Sequence, residues 1–216
     1  MSRDRTDPDR RWLLQRAAAL SVLPLAMTPV AGLATGGASA ADPRSDGRPV
    51  EVRRWSSEAR LQGEIRFRYW GFHVYDAQLW VRPDFDPQRP LEHPLALTLV
   101  YARELKARDI AERSVEEIER QSPVTPEQAR AWLAHMERAF VDIRPGDRLT
   151  GVFRPQEGAA SFFFNGRPTA EVRDAVFVPL FFGIWLSPRT SEPGMRRALL
   201  KLDRGGGDRG GPGRGS

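Results

Sequence analysis

Residues 60–83, RLQGEIRFRYWGFHVYDAQLWVRP, carry the clearest strand pattern in the chain. They are rich in Phe, Tyr, Trp, Val and Ile, and charged residues are interleaved among them. Aromatic and β-branched side chains fit a pleated, half-buried surface, and the alternation has the period of a strand. The pattern therefore predicts two strands that form a hairpin, with the chain reversing near Trp70 and Gly71.

Further strand patterns follow downstream of this hairpin. We predict strands at Leu95–Tyr101, at residues 147–154 and at Ala159–Phe164. The pair Asn165-Gly166 is a strong turn signal, and a short strand that ends at Val172 follows it. The second half of the chain therefore adds more strands to the sheet that the first hairpin begins.

Helical periodicity separates and follows these strands. One helix is predicted over residues 107–120, and a second begins with Thr125 as N-cap, Pro126 at the first helical position and Gln128 completing a capping box. A very apolar helix is predicted over residues 174–186 and a short one over residues 195–202. Strands, a helix pair, more strands and more helices indicate an α+β fold, a sheet with helices packed on it.

The N-terminal 40 residues have the order of a secretory signal. Arg10 and Arg11 precede an uncharged apolar stretch at residues 17–33, and the small residues Ala38-Ser39-Ala40 follow it. The arginine pair favours the twin-arginine export machinery as the partner of this segment. The alternative is an uncleaved anchor, but the stretch is short for a span of about 20 residues. We therefore expect a periplasmic or secreted protein with no membrane span after cleavage.

Composition divides the rest of the chain. Residues 41–49 indicate a linker, residues 50–202 a single folded domain, and residues 203–216, mostly Gly, Arg and Asp, a disordered tail. The net charge of +5 is modest, and its Arg residues are scattered among Asp and Glu, so we do not expect a nucleic-acid partner. No Cys is present, which excludes disulfides and a lipid-modified cysteine.

Common catalytic centres find no support in the sequence. The three histidines, His73, His93 and His135, lie on separate predicted elements without metal-ligand spacing, so no metal site and no cofactor are expected. A G-x-S-x-G nucleophile elbow is also lacking. Four carboxylates on the helix at residues 107–120 alternate with Arg and indicate a solvated face; they are Glu112, Glu116, Glu117 and Glu119.

Arg66 and Arg68 are the candidate ligand-binding cations. They alternate with Phe67 and Tyr69 in a predicted strand, so both guanidiniums point to one face. If that face meets solvent they are ordinary surface charges, and if it meets a cleft they form a fork for a carboxylate. The apolar helix at residues 174–186 leaves a similar choice between core and the lining of an apolar ligand cavity.

Several short motifs occur in order along the predicted domain. They are YDAQLW at residues 75–80, GDRL at 146–149, NGR at 165–167, FFGIWLSPRTS at 181–191 and MRRALL at 195–200. Together they resemble the bacterial, secreted branch of the chalcone isomerase-like family over about residues 50–202.

This resemblance implies an open-faced β-sandwich, an antiparallel sheet covered by helices, with a cleft between sheet and helices. Members include isomerases that close chalcones to flavanones and relatives that bind fatty acids in the same cleft. The enzymes hold the phenolate with a strand Arg, helped by hydroxyls of Thr and Tyr and by an Asn. Those positions fall near Arg66 or Arg68, Tyr75, Asp109 and Glu116, so only the Arg carries over.

The missing hydroxyl network favours binding over catalysis. The leading expectation is an exported, non-catalytic protein that binds a small apolar carboxylate such as a fatty acid, with Arg66 or Arg68 on the head group and Tyr75 donating a hydrogen bond. One alternative is an isomerase or intramolecular lyase acting on a chalcone-like phenol. Another is a structural module whose aromatic residues are all core and which acts through protein partners.

Overall fold

The sheet is a six-stranded antiparallel meander in which each strand pairs with its neighbours in sequence. The computed structural model describes residues 47–202, so the predicted signal, most of the linker and the tail lie outside the described residues. The strands are β1 (Arg60–Tyr69), β2 (Phe72–Val81), β3 (Leu95–Tyr101), β4 (Arg148–Arg154), β5 (Ala159–Phe164) and β6 (Arg167–Arg173). Every predicted strand is confirmed.

Five α-helices accompany the sheet in the described part of the chain. They are α1 (Val50–Trp55), α2 (Ala107–Gln121), α3 (Pro126–Ala139), α4 (Phe177–Leu186) and α5 (Pro193–Leu200). The capping box at Thr125 is present, with reciprocal bonds between Thr125 and Gln128 of 3.3 and 2.9 Å. The predicted α+β fold with an antiparallel sheet and covering helices is confirmed.

Two tight turns fix the register of the outer hairpins. Trp70 and Gly71 have φ of 51° and 79°, and Asn165 and Gly166 have φ of 49° and 82°. Paired positive φ values match the twist of the flanking strands, which is why Asn-Gly is favoured at such turns. The second turn therefore has its preferred residues, whereas the first places a bulky aromatic in the left-handed region.

The two faces of the sheet are covered unequally. The helical face carries alternate strand residues such as Ala77, Leu97 and Phe162, which pack with buried side chains of α2 to α5 in the main core. The open face carries the intervening residues, and only a small cluster covers it: Val52 of α1 packs with Trp80 and Ala96 of the strands. Function that depends on an enclosed apolar space therefore belongs to the helical face.

Two helix positions differ from the sequence expectation. The apolar helix begins at Phe177 rather than Asp174, because the Asp174 carboxylate accepts the backbone N–H groups of Val176 and Phe177 at 2.9 Å each. The last helix begins at Pro193, a residue suited to the first helical turn. Helix α1 lies within the predicted domain but was not predicted, since six residues that include two valines carry little helical signal.

Helix α5 contacts the edge strand β1 at closer range than any side chain would allow. A Cβ on Gly63 would lie 2.4 Å from the carbonyl oxygens of Ala198 and Leu199. The absence of a side chain at Gly63 therefore sets how near α5 approaches β1. Within residues 47–202, none of the helices has the length and apolar character needed to cross a membrane.

Candidate functional site

Tyr75 lies on the helical face of β2, where that strand meets α4 and α5. Its hydroxyl accepts a hydrogen bond from Trp185 Nε1 at 3.2 Å and donates towards Met195 Sδ at 3.7 Å. A thioether sulfur is only a weak acceptor. The O–H group of Tyr75 therefore has a partner that a stronger acceptor, such as a carboxylate oxygen, would readily replace.

Aromatic rings hold the Tyr75 ring in place. Phe67 of β1 stacks on it at 4.9 Å between ring centroids, and Tyr101 of β3 meets it edge-on at 5.7 Å. Burial raises the pKa of the Tyr75 hydroxyl well above its ordinary value, and although the bond from Trp185 opposes this, the charges of Glu192 and Glu117 add to it. Tyr75 therefore stays protonated at neutral pH and acts as a donor.

A group of charged side chains acts electrostatically on Tyr75. Glu117 of α2 is buried and accepts hydrogen bonds from Arg113 Nη2 at 2.5 Å and from Ser191 Oγ at 2.7 Å. Glu192, just before α5, is half-buried. Burial raises the pKa of Glu192, and the negative charge of Glu117 raises it further, with Arg113 opposing both.

The loop at residues 187–191 positions this group. Thr190 Oγ1 donates to the carbonyl of Ile184 at 2.6 Å and accepts the backbone N–H of Glu192 at 3.1 Å. Arg189 Nη1 donates to the carbonyl of Gln121 at the end of α2, at 2.9 Å. The SPRTS segment thereby ties α4 to α2 and fixes where Ser191 and Glu192 lie.

The expectation of a solvated carboxylate face on α2 holds for three of its four residues. Glu112, Glu116 and Glu119 are exposed, but Glu117 is buried, and for that residue the expectation is wrong. Tertiary packing is the reason, because Ser191 arrives from a segment 74 residues away to bond with Glu117. The charges acting on Tyr75 from α2 therefore come from Arg113 and Glu117.

Arg66 and Arg68 lie on the open face, away from Tyr75. Arg66 pairs across the hairpin with Asp76, Nε to Oδ1 at 2.9 Å, and 57% of its side chain is exposed. Arg68 is exposed and donates to the carbonyl of Gly71 at 3.2 Å. The structure does not bring either Arg to Tyr75, because alternation along β1 sends Phe67 to the helical face and its neighbours to the opposite one.

Sequence reasoning missed Trp185, which bonds to Tyr75, and the charged residues that act on Tyr75, which are Arg113, Glu117 and Glu192. The only signal that pointed towards them was the position of Trp185 and Ser191 inside the FFGIWLSPRTS motif. Arg10 and Arg11 lie outside the described residues. No group of three or more His, Cys, Asp or Glu within residues 47–202 is arranged to hold a metal ion.

Comparison with known proteins places the chain in a family. Residues 57–201 match the family described as chalcone isomerase-like. A protein of Haemophilus influenzae described as uncharacterized is 30% identical over 138 residues, which span 64% of this chain and 66% of the relative.

The fold also resembles that of a fatty-acid binding protein of Arabidopsis thaliana known from a crystal structure. The TM-score is 0.51 at 11% identity, covering 67% of this chain and 88% of that one. At that identity the likeness concerns the fold alone. The family match covers most of the described domain, including Tyr75, Arg113, Glu117 and Glu192, and the chain therefore belongs to the chalcone isomerase-like family.

Proposed function

We propose that this chain is an exported, non-catalytic binding protein that holds a small apolar acid, such as a fatty acid, between the sheet and the helices with its head group at Tyr75. The observation that carries this proposal is the Tyr75 hydroxyl, a protonated donor whose acceptor is the weakly accepting Met195 sulfur. The Arabidopsis relative in fold, a fatty-acid binding protein, supports the same class of ligand.

Apolar side chains lead towards this donor from the edge of the sheet. Ile65 and Phe67 of β1 are partly buried on the helical face and pack against the main core. An acyl chain lying along them would gain about 0.8 kcal/mol for each CH₂ group that leaves water. The acyl chain of the ligand therefore supplies most of the affinity, and Tyr75 fixes the orientation of its head group.

The charge balance at Tyr75 sets a condition on the head group. Arg113 supplies one positive charge, whereas Glu117 and Glu192 supply two negative ones. A carboxylate ligand is therefore accepted best when Glu192, whose pKa is raised, carries a proton. In this proposal Arg113, rather than Arg66 or Arg68, is the cation that acts on the head group.

A thermal-shift titration with laurate and palmitate tests the proposal. A ligand at 100 times its dissociation constant stabilises by about 2.7 kcal/mol, a rise of roughly 5–10 °C in Tm for a domain of this size. Tyr75→Phe should weaken binding about tenfold, since a hydrogen bond to a charged group contributes about 1.5–3 kcal/mol. Arg66→Ala and Arg68→Ala are the matched controls and should bind as the original chain does.

The outcomes separate three hypotheses. If neither fatty acid raised the Tm of folded protein free of co-purified lipid, the fatty-acid proposal would be wrong. A shift that survives Tyr75→Phe but disappears in Arg66→Ala or Arg68→Ala would move the head group to the open face. Turnover of a chalcone by the same protein would replace the binding hypothesis with the isomerase.

The electrostatic condition has a test of its own. Laurate affinity should rise as the pH falls from neutral, because protonation of Glu192 removes a negative charge beside the head group. Glu192→Gln should bind laurate more tightly at neutral pH and lose most of this dependence. An octyl alcohol probe, which carries no charge, is the control, and its affinity should be the same at neutral pH and at the lower pH. If Glu192→Gln weakened laurate binding at neutral pH, the head group would not lie beside Glu192.

A further inference from the structure

The tip of the β1–β2 hairpin exposes large aromatic side chains to solvent. Trp70 is 67% exposed and Phe72 is 58% exposed, which makes them the most exposed large hydrophobic residues in the described part of the chain. Tyr69 lies beside Trp70 at 6.5 Å between ring centroids. We call Tyr69, Trp70 and Phe72 the aromatic tip.

The backbone conformation at Trp70 is one that its residue type disfavours. Its φ of 51° lies in the left-handed region, which is unfavourable for residues with a Cβ and which Asn or Gly would occupy at such a turn. No core contact accounts for an aromatic here, since two thirds of the side chain is exposed. An aromatic held in a strained and exposed position indicates a role outside folding.

Positive charge surrounds the aromatic tip. Arg66 and Arg68 flank it on β1, and the Arg103 guanidinium lies 4.9 Å from the centroid of the Phe72 ring. The charged side chains of residues 66–76 are Arg66, Arg68 and Asp76, and Asp76 pairs with Arg66, so together with Arg103 the tip carries an excess of positive charge. Exposed Trp and Phe beside Arg form the combination that binds the interface of an anionic membrane.

The aromatic tip also adjoins the proposed ligand site. Phe67, which stacks on Tyr75, lies two positions before Tyr69 on the same strand. The segment that carries Arg103 is tied to the hairpin by the bond from the Ala102 N–H to the carbonyl of Val74, at 2.9 Å. A surface that seats the aromatic tip would therefore lie next to the end of the sheet where Phe67 and Tyr75 stand.

We propose that the aromatic tip is a membrane-docking element that inserts Trp70 and Phe72 into the interface of an anionic lipid bilayer while Arg68 and Arg103 contact the lipid head groups. This inference stands on the exposed aromatics, the strained turn and the charge, and does not require that the ligand be a fatty acid. Docking there brings the Tyr75 site to a lipid surface, from which an apolar ligand enters or to which it is released.

A single-cysteine label tests the docking directly in the full chain. The protein has no Cys, so a nitrobenzoxadiazole dye attached to Phe72→Cys reports that position alone. The control label is Arg130→Cys on α3, where 70% of the native side chain is exposed. Vesicles are made of phosphatidylcholine with or without phosphatidylglycerol. Every variant retains the apolar residues 17–33, so any attraction of this stretch to lipid is the same in all of them.

The expected result is a blue shift of the dye at position 72 with the anionic vesicles and none at position 130. Trp70→Asn in the labelled chain should raise the lipid concentration needed for this shift about tenfold, and Arg68→Gln or Arg103→Gln about fivefold each. Asn suits the left-handed turn, so Trp70→Asn should keep or raise the Tm, which separates lost docking from misfolding.

Three results would overturn the proposal. They are no blue shift at position 72 on anionic vesicles, an equal shift at position 130, and an unchanged response in Trp70→Asn. An equal shift on pure phosphatidylcholine would remove the role assigned to Arg68 and Arg103. A tip that ignores vesicles of both compositions would instead be a surface for a protein partner.

Discussion

Trp70 shows at the scale of one residue how a local preference and an exposed position conflict. Its φ of 51° costs about 1–2 kcal/mol for a residue with a Cβ, and Asn tolerates that region better. The Trp70 side chain recovers little by packing, because most of its surface meets solvent. The residue is therefore better suited to a contact outside the domain than to the stability of the turn.

Trp70→Asn should raise the free energy of unfolding by about 1 kcal/mol, because Asn relieves the left-handed strain while little burial is lost. Chemical denaturation of the two proteins at pH 7 measures the difference. Asn165→Ala at the other turn is the reverse control and should lower stability, since its φ of 49° suits Asn. A clear loss of stability in Trp70→Asn would mean that Trp70 packs on the folded domain more than its exposure indicates.

Helix α1 shows at the scale of an element what tertiary contacts add to a weak local signal. Glu51 on α1 is buried and accepts two hydrogen bonds from Arg148, at 3.0 and 3.2 Å, and one from Thr150 at 2.7 Å. Burial by itself would raise the pKa of Glu51, but these bonds outweigh it and lower the pKa. The ion pair between Glu51 and Arg148 anchors α1 on the open face, where Val52 covers Trp80 and Val152.

Glu51→Gln should destabilise the domain at pH 7 by about 3 kcal/mol, because Arg148 loses its buried carboxylate partner. Because the folded pKa of Glu51 is lowered, its contribution is fully present above the ordinary glutamate pKa of about 4.3 and is lost as the pH falls through the lowered value. The gap between the two proteins should therefore narrow in acid.

Denaturation curves at pH 7 and at pH 3 measure both effects. Glu58→Gln, at an exposed position next to α1, is the matched control and should leave stability nearly unchanged at either pH. A gap that stays constant from pH 7 to pH 3 would contradict the assignment of the lowered pKa to Glu51.

The whole molecule combines an export signal, by our proposal, with a domain whose ligand site and aromatic tip lie at the same end of the β1–β2 hairpin. Phe67 and Tyr75 stack on the helical face, and Trp70 and Phe72 project from the turn between them. Under the proposed export, that end of the domain would meet the membrane surfaces that border the periplasm. Export, docking and ligand exchange would then be parts of a single activity.

Replacing Arg10 and Arg11 together by Lys should leave the uncleaved precursor in the cytoplasm, because the arginine pair is the feature that the export machinery recognises. Cell fractionation and mass measurement of the product check this, and the mature chain should begin at Ala41. Arg16→Lys, outside the pair, is the control and should be exported. Normal export of the double variant would contradict the twin-arginine route.

The sequence by itself determined the six strands and four of the five helices of the described residues, in their order. Strand periodicity in residues 60–83, the capping box at Thr125 and the Asn165-Gly166 turn are local signals, and each produced the expected structure. The resemblance to the family added the antiparallel pairing of the sheet and its cover of helices. The family resemblance proposed Tyr75 as a hydrogen-bond donor to a ligand, and that role stays a prediction.

Only the tertiary structure decided which charges act on Tyr75. Strand alternation states that Arg66 and Arg68 share a face but not which face the helices cover, and the packing of α2 to α5 makes that choice. Glu117 and Ser191 meet across 74 residues of sequence, and Glu51 and Arg148 across 97. Local periodicity carries no information about such pairs, because their partners are brought together only when the helices close on the sheet.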